Sequence, residues 1–233
     1  MSTLICFALK EEATPFRKIA AGKAGFSILI VGIGRQNAEK SVREFLAGGA
    51  SVPASREQLM AGPARLAGTL APPDLVLTCG FAGGLNPALK LGDVVFQIGN
   101  QELEFENELL AAGAKPAKFI CVDRIATTVA EKQALRAETG ADVVEMESAA
   151  IQAVCAERGI PCVTVRVISD TANENLPLDF NALAKPDKNL DFGKLAWAIA
   201  KSPGKIGALM QLQKKTSFAA KQLAAVLEKI VFP

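Results

Sequence analysis

Short apolar runs rich in β-branched residues recur along this chain, each followed by a stretch with helical spacing. No other feature limits the fold so strongly. Leu4–Leu9, Phe26–Val31, Asp74–Cys79, Asp93–Ile98, Lys118–Val122, Asp142–Val144 and Cys162–Ile168 read as strands. Helices are predicted from about Glu12 to Ala20, over Gln36–Leu46, Arg56–Leu70 and Val129–Glu138, and over Met146–Arg158, where Gly159 and Pro161 supply the stop. Strands alternating with helices specify a largely parallel sheet covered on both faces. Half of the 233 residues are apolar, enough for a continuous core in one domain spanning 1–233. Its last part, from about 191 to 233, is a helical basic tail interrupted at Ser202-Pro203-Gly204.

Charge and cysteine usage narrow the function. The net charge is +2, so no nucleic-acid partner is expected. From Lys185 onward nine lysines face only Asp187, Asp191 and Glu228, a local charge of +6. Such a tail packs on its domain by default, and its lysines would suit weak association with an anionic membrane. The opening MSTLICFALKEE places acids where a signal peptide would stay apolar, and no apolar run reaches the ~18 residues of a membrane span. Five cysteines without CxxC spacing agree with a cytoplasmic, reducing setting and no zinc site. The chain has no histidine, which removes Ser-His-Asp and Cys-His nucleophile chemistry. Acid–base work must fall to Asp, Glu, Lys, Cys or Ser.

In open α/β sheets, ligands sit beyond the carboxyl ends of the strands. Four of these ends are unusual here. They carry Lys10-Glu11-Glu12, the glycine-rich turn GFAGGLNPALKLGD, Glu145-Met146-Glu147 and Ser169-Asp170. An acid at a strand end is commonly a helix cap or first-turn residue. Three acidic sets converging on one sheet edge point instead to a site. Gly32-Ile33-Gly34-Arg35 is half of a dinucleotide fingerprint and reads better as a tight turn, with Arg35 and Gly34 as weak phosphate ligands. Glu102, Glu104, Glu106 and Glu108 alternate with Leu103 and Phe105, the pattern of a solvated strand face rather than a metal cage. No metal or cofactor is expected.

Three segments, in order along the chain, carry a resemblance. FALKEEATPF (7–16), CGFAGGLNPALKLGDVV (79–95) and VVEMESAAIQAVCAERGIPCVTVRVISDTAN (143–173) resemble the purine nucleoside phosphorylase/uridine phosphorylase superfamily. Among its members the methylthioadenosine/S-adenosylhomocysteine nucleosidases are similar. Through VDRIATTVAEKQAL (122–135), ADVVEMESAA (141–150) and RVISDTANENLP (166–177), the chain resembles still more closely the hopanoid-biosynthesis-associated branch. The resemblance implies a three-layer α/β/α nucleoside phosphorylase-like fold with a central mixed, largely parallel sheet. It implies cleavage of the N-glycosidic bond of a purine nucleoside, adenine foremost, by water or phosphate, with a bulky 5′-substituent admitted. It also implies a homo-oligomer, a dimer or trimer of dimers.

Roles follow from the same resemblance. Asp170 would protonate the leaving base at N7, with Ser169 orienting it. Glu147 would bind the ribose hydroxyls, with Glu145 beside it and Met146 beneath the sugar. Glu12 would activate water, with Arg166 nearby. Ala82, Gly83 and Gly84 would let backbone amides approach the ligand. Glycosidic cleavage passes through an oxocarbenium-like sugar, so a carboxylate near the sugar and an acid at the leaving group are what the chemistry requires. The sequence also departs from the pattern. Phe81 stands where the nucleosidases have serine, and Ile125 falls where an aromatic stacks on the base. The segment between Val95 and Lys118 is short, and residues 48–70 are expanded. Two rivals remain: a catalytically silent nucleoside-binding module on the same fold, which Phe81 favours, and a dinucleotide-dependent oxidoreductase, which the missing third glycine disfavours.

Overall fold

The structure, a computed structural model, describes residues 2–48, 59–61, 72–99, 103–183, 204 and 206–233. Among the described residues nine strands form one sheet: β1 (Thr3–Phe7), β2 (Phe26–Ile30), β3 (Leu59–Ala61), β4 (Leu75–Gly84), β5 (Val94–Gln97), β6 (Lys115–Pro116), β7 (Phe119–Cys121), β8 (Val143–Glu145) and β9 (Cys162–Asp170). Their order is β3-β2-β1-β4-β9-β5-β6, with β8 joined to the end of β4 and β7 to β8. The β2–β1–β4–β9 centre is parallel, while β3, β5 and β8 each pair antiparallel with a neighbour. The sheet is therefore mixed and largely parallel.

Both faces are covered, and the period of two along each strand shows how. Ile5, Phe7, Leu77, Val163, Val165 and Val167 point to one side. There they meet Phe16 of α1 (Lys10–Ile19), Leu109 of α3 (Leu103–Ala112), and Leu223 and Leu227 of α7 (Ile206–Val231). Leu4, Cys6, Leu29 and Val76 point to the other. There they meet Ala38 and Val42 of α2 (Arg35–Leu46) and Ile151, Val154 and Cys155 of α5 (Ser148–Ala156). The result is the three-layer α/β/α sandwich. Helix α4 (Val129–Thr139) and the short α6 (Phe180–Leu183) flank the carboxyl end of β9.

Four details differ from the sequence reading. β4 does not stop at Cys79; its glycines continue as strand to Gly84, because β9 pairs along it to Gly83 and β8 takes up Gly83 and Gly84. Residues 103–112 are helix, not a strand face. The glutamates recur every second residue, but Phe105, Leu109 and Ala112 follow the helical repeat onto the core, and burial decides. Residues 59–61, expected in a helix, are strand β3; the rest of the expected 56–70 helix lies outside the described residues. Helix α5 starts at Ser148, which leaves Met146 and Glu147 in the turn that faces the site. Residues 184–203 fall outside the described residues, and with them most of the expected Ser202-Pro203-Gly204 break.

Candidate active site

The ends of β1, β4, β8 and β9 surround one cavity of about 240 Å³. Glu12, Phe81, Ala82, Gly83, Ile125, Glu145, Met146, Glu147, Ser169 and Asp170 all line it, so these sequence-predicted residues meet in one place. Arg166 stands behind the carboxylates, buried in the middle of β9. Arg35 is not brought in. Its guanidinium donates to the Cys121 carbonyl at 2.5 Å and lies 3.4 Å from Asp123. The Gly34 amide points inward but is already given to Glu147 Oε1, at 2.8 Å.

Glu12 enters in the first turn of α1. Its Oε2 accepts from the Leu9 amide and its Oε1 from the Phe81 amide, each at 2.9 Å. Burial pushes its carboxyl up to about 7, against the pull of those two amides and of Arg166. Gly80 explains how the group reaches that place. A Cβ on Gly80 would sit 2.8 Å from Glu12 Oε1 and 2.8 Å from Arg166 Nη1, so only glycine lets both pack against this strand. Its φ of +144° is a second reason.

Arg166 organises the floor. Nη2 donates to Glu145 Oε2 at 2.7 Å and to Thr78 Oγ1 at 3.1 Å. Nη1 lies 3.3 Å from Glu147 Oε2 and makes no hydrogen bond of good geometry, which leaves a buried donor open beside Glu12 and Glu147. Glu145 is saturated: Ser148 Oγ, the Ser148 and Glu147 amides and Arg166 all donate to it. Burial raises its carboxyl, but Arg166 and these donors outweigh that and hold it below the usual range. Glu147 goes the other way. Burial and the neighbouring Glu145 charge raise it against the attraction of Arg166.

At the opposite end, Asp170 closes β9. Ser169 Oγ donates to its Oδ1 at 2.7 Å, and Lys132 Nζ to its Oδ2 at 2.5 Å. Gly83 faces it, since a Cβ there would come 3.3 Å from Asp170 Oδ2 and 3.1 Å from Val144. The 123–129 loop forms the adjoining wall. The Asn181 carboxamide pairs with both main-chain groups of Ile125, at 2.8 and 2.9 Å, and Leu176 N donates to the Thr127 carbonyl at 2.8 Å.

Sequence reasoning missed Lys132, whose only signal is a lysine directly after the Thr128–Glu131 capping pair of α4. It also missed the apolar lining from Val122, Leu176, Phe180 and Leu212. Those residues come from three separate segments and show no common motif.

An α/β/α sandwich with buried carboxylates at both ends of one strand-end cavity defines a nucleoside phosphorylase-like enzyme. Comparison with known proteins bears this out. A model of the phosphorylase superfamily matches residues 103–200. The 5′-methylthioadenosine/S-adenosylhomocysteine nucleosidase of Shewanella oneidensis is 31% identical over 179 residues, covering 60% of this chain and 76% of that one. Among solved structures, the corresponding nucleosidase of Campylobacter jejuni aligns over 99% of this chain and 98% of its own, with TM-score 0.65 and 17% identity. The futalosine hydrolase of Helicobacter pylori aligns over 99% and 97%, with TM-score 0.66 and 17% identity. The chain belongs to the phosphorylase superfamily, as an enzyme of its nucleosidase and nucleoside phosphorylase class.

Proposed function

We propose that the protein hydrolyses the N-glycosidic bond of a purine nucleoside, with adenine as the preferred base. The observation that carries this reading is Glu12: buried, raised to about 7, and placed beside the open Nη1 donor of Arg166. A carboxyl that titrates near neutrality is suited to take a proton from water. Glu147, on the same floor, accepts from the ribose hydroxyls. Asp170, across the cavity, delivers a proton to the base as the bond breaks. Negative charge on Glu145 and Glu147 faces the cationic sugar that develops in between.

Phosphate fits this floor less well. Three carboxyl groups and one arginine surround the nucleophile's place, and two like unit charges ~4 Å apart repel by about 4 kcal/mol at an effective dielectric near 20. Arg35, which could offset that repulsion, is engaged with Cys121 and Asp123. The apolar lining of Val122, Ile125, Leu176, Phe180 and Leu212 suits a bulky, apolar 5′-substituent. Adenine as the base is supported by the likeness to the 5′-methylthioadenosine/S-adenosylhomocysteine nucleosidase of Shewanella oneidensis. Self-association and weak attachment to anionic membranes belong to the same reading. The exposed Leu110, Met210 and Phe218 support the first, and the lysines of α7 the second.

The test is turnover of adenosine and 5′-alkylthioadenosines in ¹⁸O-labelled water, with and without phosphate. Label on the sugar C1 hydroxyl and indifference to phosphate are expected. Strict phosphate dependence with a sugar 1-phosphate product would make it a phosphorylase. Tight nucleoside binding without base release would make it a silent binding module.

A further inference from the structure

Lys132 has no part in the reaction as laid out above, yet it is 0% exposed and touches the leaving-group acid. Its three donors are all used: Asp170 Oδ2 at 2.5 Å, the Thr171 carbonyl at 2.7 Å and the Glu174 carbonyl at 2.9 Å. The placement is built with care. Thr128 Oγ1 accepts from the Glu131 amide, and the Glu131 carboxylate accepts from the Thr127 and Thr128 amides, so the first turn of α4 is fixed. Lys132 follows directly and is aimed at the end of β9. An ammonium withdrawn this far from water is costly to bury unless it is paired, and a hydrophobic residue would fill the space at less cost.

Asp170 meanwhile has a donor on each oxygen, Lys132 on Oδ2 and Ser169 on Oδ1. In this arrangement both oxygens accept, and the two donors in contact with Asp170 are the nearest proton sources for a departing base. Ser169 would have to become an alkoxide. Lys132 would become a neutral amine that still has two N–H groups for the Thr171 and Glu174 carbonyls.

We propose that Lys132 is the proton source behind Asp170, an inference that rests on the N-glycosidase reading. As the glycosidic bond breaks, its electron pair goes to the base. One proton crosses from Lys132 Nζ to Asp170, and one from Asp170 to a ring nitrogen of the base. Asp170 ends as it began and Lys132 ends as a neutral amine. The attacking water gives its proton to Glu12, and after the base has left solvent takes that proton from Glu12 and restores the ammonium of Lys132. Lys132 acts through Asp170, as its positioning residue and its supply.

The test compares wild type, Lys132→Arg and Lys132→Met on two substrates. One is adenosine, or 5′-methylthioadenosine if that is the better substrate. The other is p-nitrophenyl β-D-riboside, whose phenolate leaves without a proton. Both variants should lose about a hundredfold or more in kcat on the nucleoside, the usual worth of acid assistance, yet stay within about threefold of wild type on the phenyl riboside. Arginine keeps the charge but does not release a proton, so Lys132→Arg decides even if the methionine variant fails to fold. Wild-type nucleoside turnover by Lys132→Arg would overturn the inference, as would equal losses on both substrates. Those results would leave the N-glycosidase reading intact. A wild-type protein that released no base from any nucleoside would overturn that reading and take this inference with it.

Discussion

Arg166 and Glu145 form a fully buried ion pair, Nη2 to Oε2 at 2.7 Å, and the pair consumes Glu145 while Nη1, 3.3 Å from Glu147, keeps no hydrogen bond of good geometry. Glu145 therefore stands in the cavity wall without a spare acceptor of its own. Its work is to hold Arg166 so that Nη1 faces Glu147 and Glu12.

Breaking this pair should be expensive. Glu145→Ala strips the buried Arg166 of its hydrogen-bonded partner and leaves it only the 3.3 Å contact with Glu147, and removing one partner of a buried pair costs roughly 3–5 kcal/mol. Chemical denaturation of Glu145→Ala should show a loss of that order, together with loss of turnover. A variant with wild-type stability would mean that water replaces the carboxylate freely.

Glu12 makes stability depend on pH with a definite sign. Its carboxyl lies near 7 in the folded protein against an ordinary value of 4.5, so the folded state binds the extra proton between those limits. Stability from this group is complete below about 4.5 and is lost as pH rises through about 7. A tenfold change in proton affinity between the folded and unfolded chain corresponds to ~1.4 kcal/mol, so the loss amounts to a few kcal/mol at most. Glu12→Gln should flatten that part of the pH–stability curve, which thermal melts between pH 4.5 and 8 would reveal. Activity should run the other way, rising as Glu12 ionises, and Glu12→Gln should lower turnover by ~10²–10⁴. Unchanged turnover in Glu12→Gln would remove it as the base.

Gly80 is the third test. Gly80→Ala would place a methyl 2.8 Å from both Glu12 and Arg166 at a φ of +144°. Backbone strain of this kind costs about 1–3 kcal/mol, and the displaced pair should lose most of its activity. A crystal structure of Gly80→Ala should show Glu12 moved off the Phe81 amide. An undisturbed Glu12 would show that the strand yields instead.

Much of this is legible in the chain. The apolar runs at 4–8, 26–31 and 162–168 are buried on both faces, and such strands announce themselves without alternation. The acids at 12, 145, 147 and 170 stand out because a carboxylate at a strand end is conspicuous. What stays hidden is partnership across the sheet. Nothing local in VAEKQAL distinguishes Lys132 from a solvated helix lysine; only the meeting of α4 with the end of β9 buries it. The 80–84 glycines read as a turn because glycine usually marks one. Here they are strand, crowded by side chains at Gly80 and Gly83 and chiefly by backbone at Gly84.

Most of the donors that hold Glu12 and Glu147 in place are main-chain amides, those of Leu9, Phe81 and Gly34. A main-chain donor is indifferent to the side chain it carries. Phe81 thus presents its N–H to Glu12 whatever side chain stands at that position. Glu12 and Glu147 are anchored to the backbone, independently of the side chains that shape the chamber. A scaffold arranged in this way lets the side chains lining the chamber change without moving the carboxylates that the main chain holds.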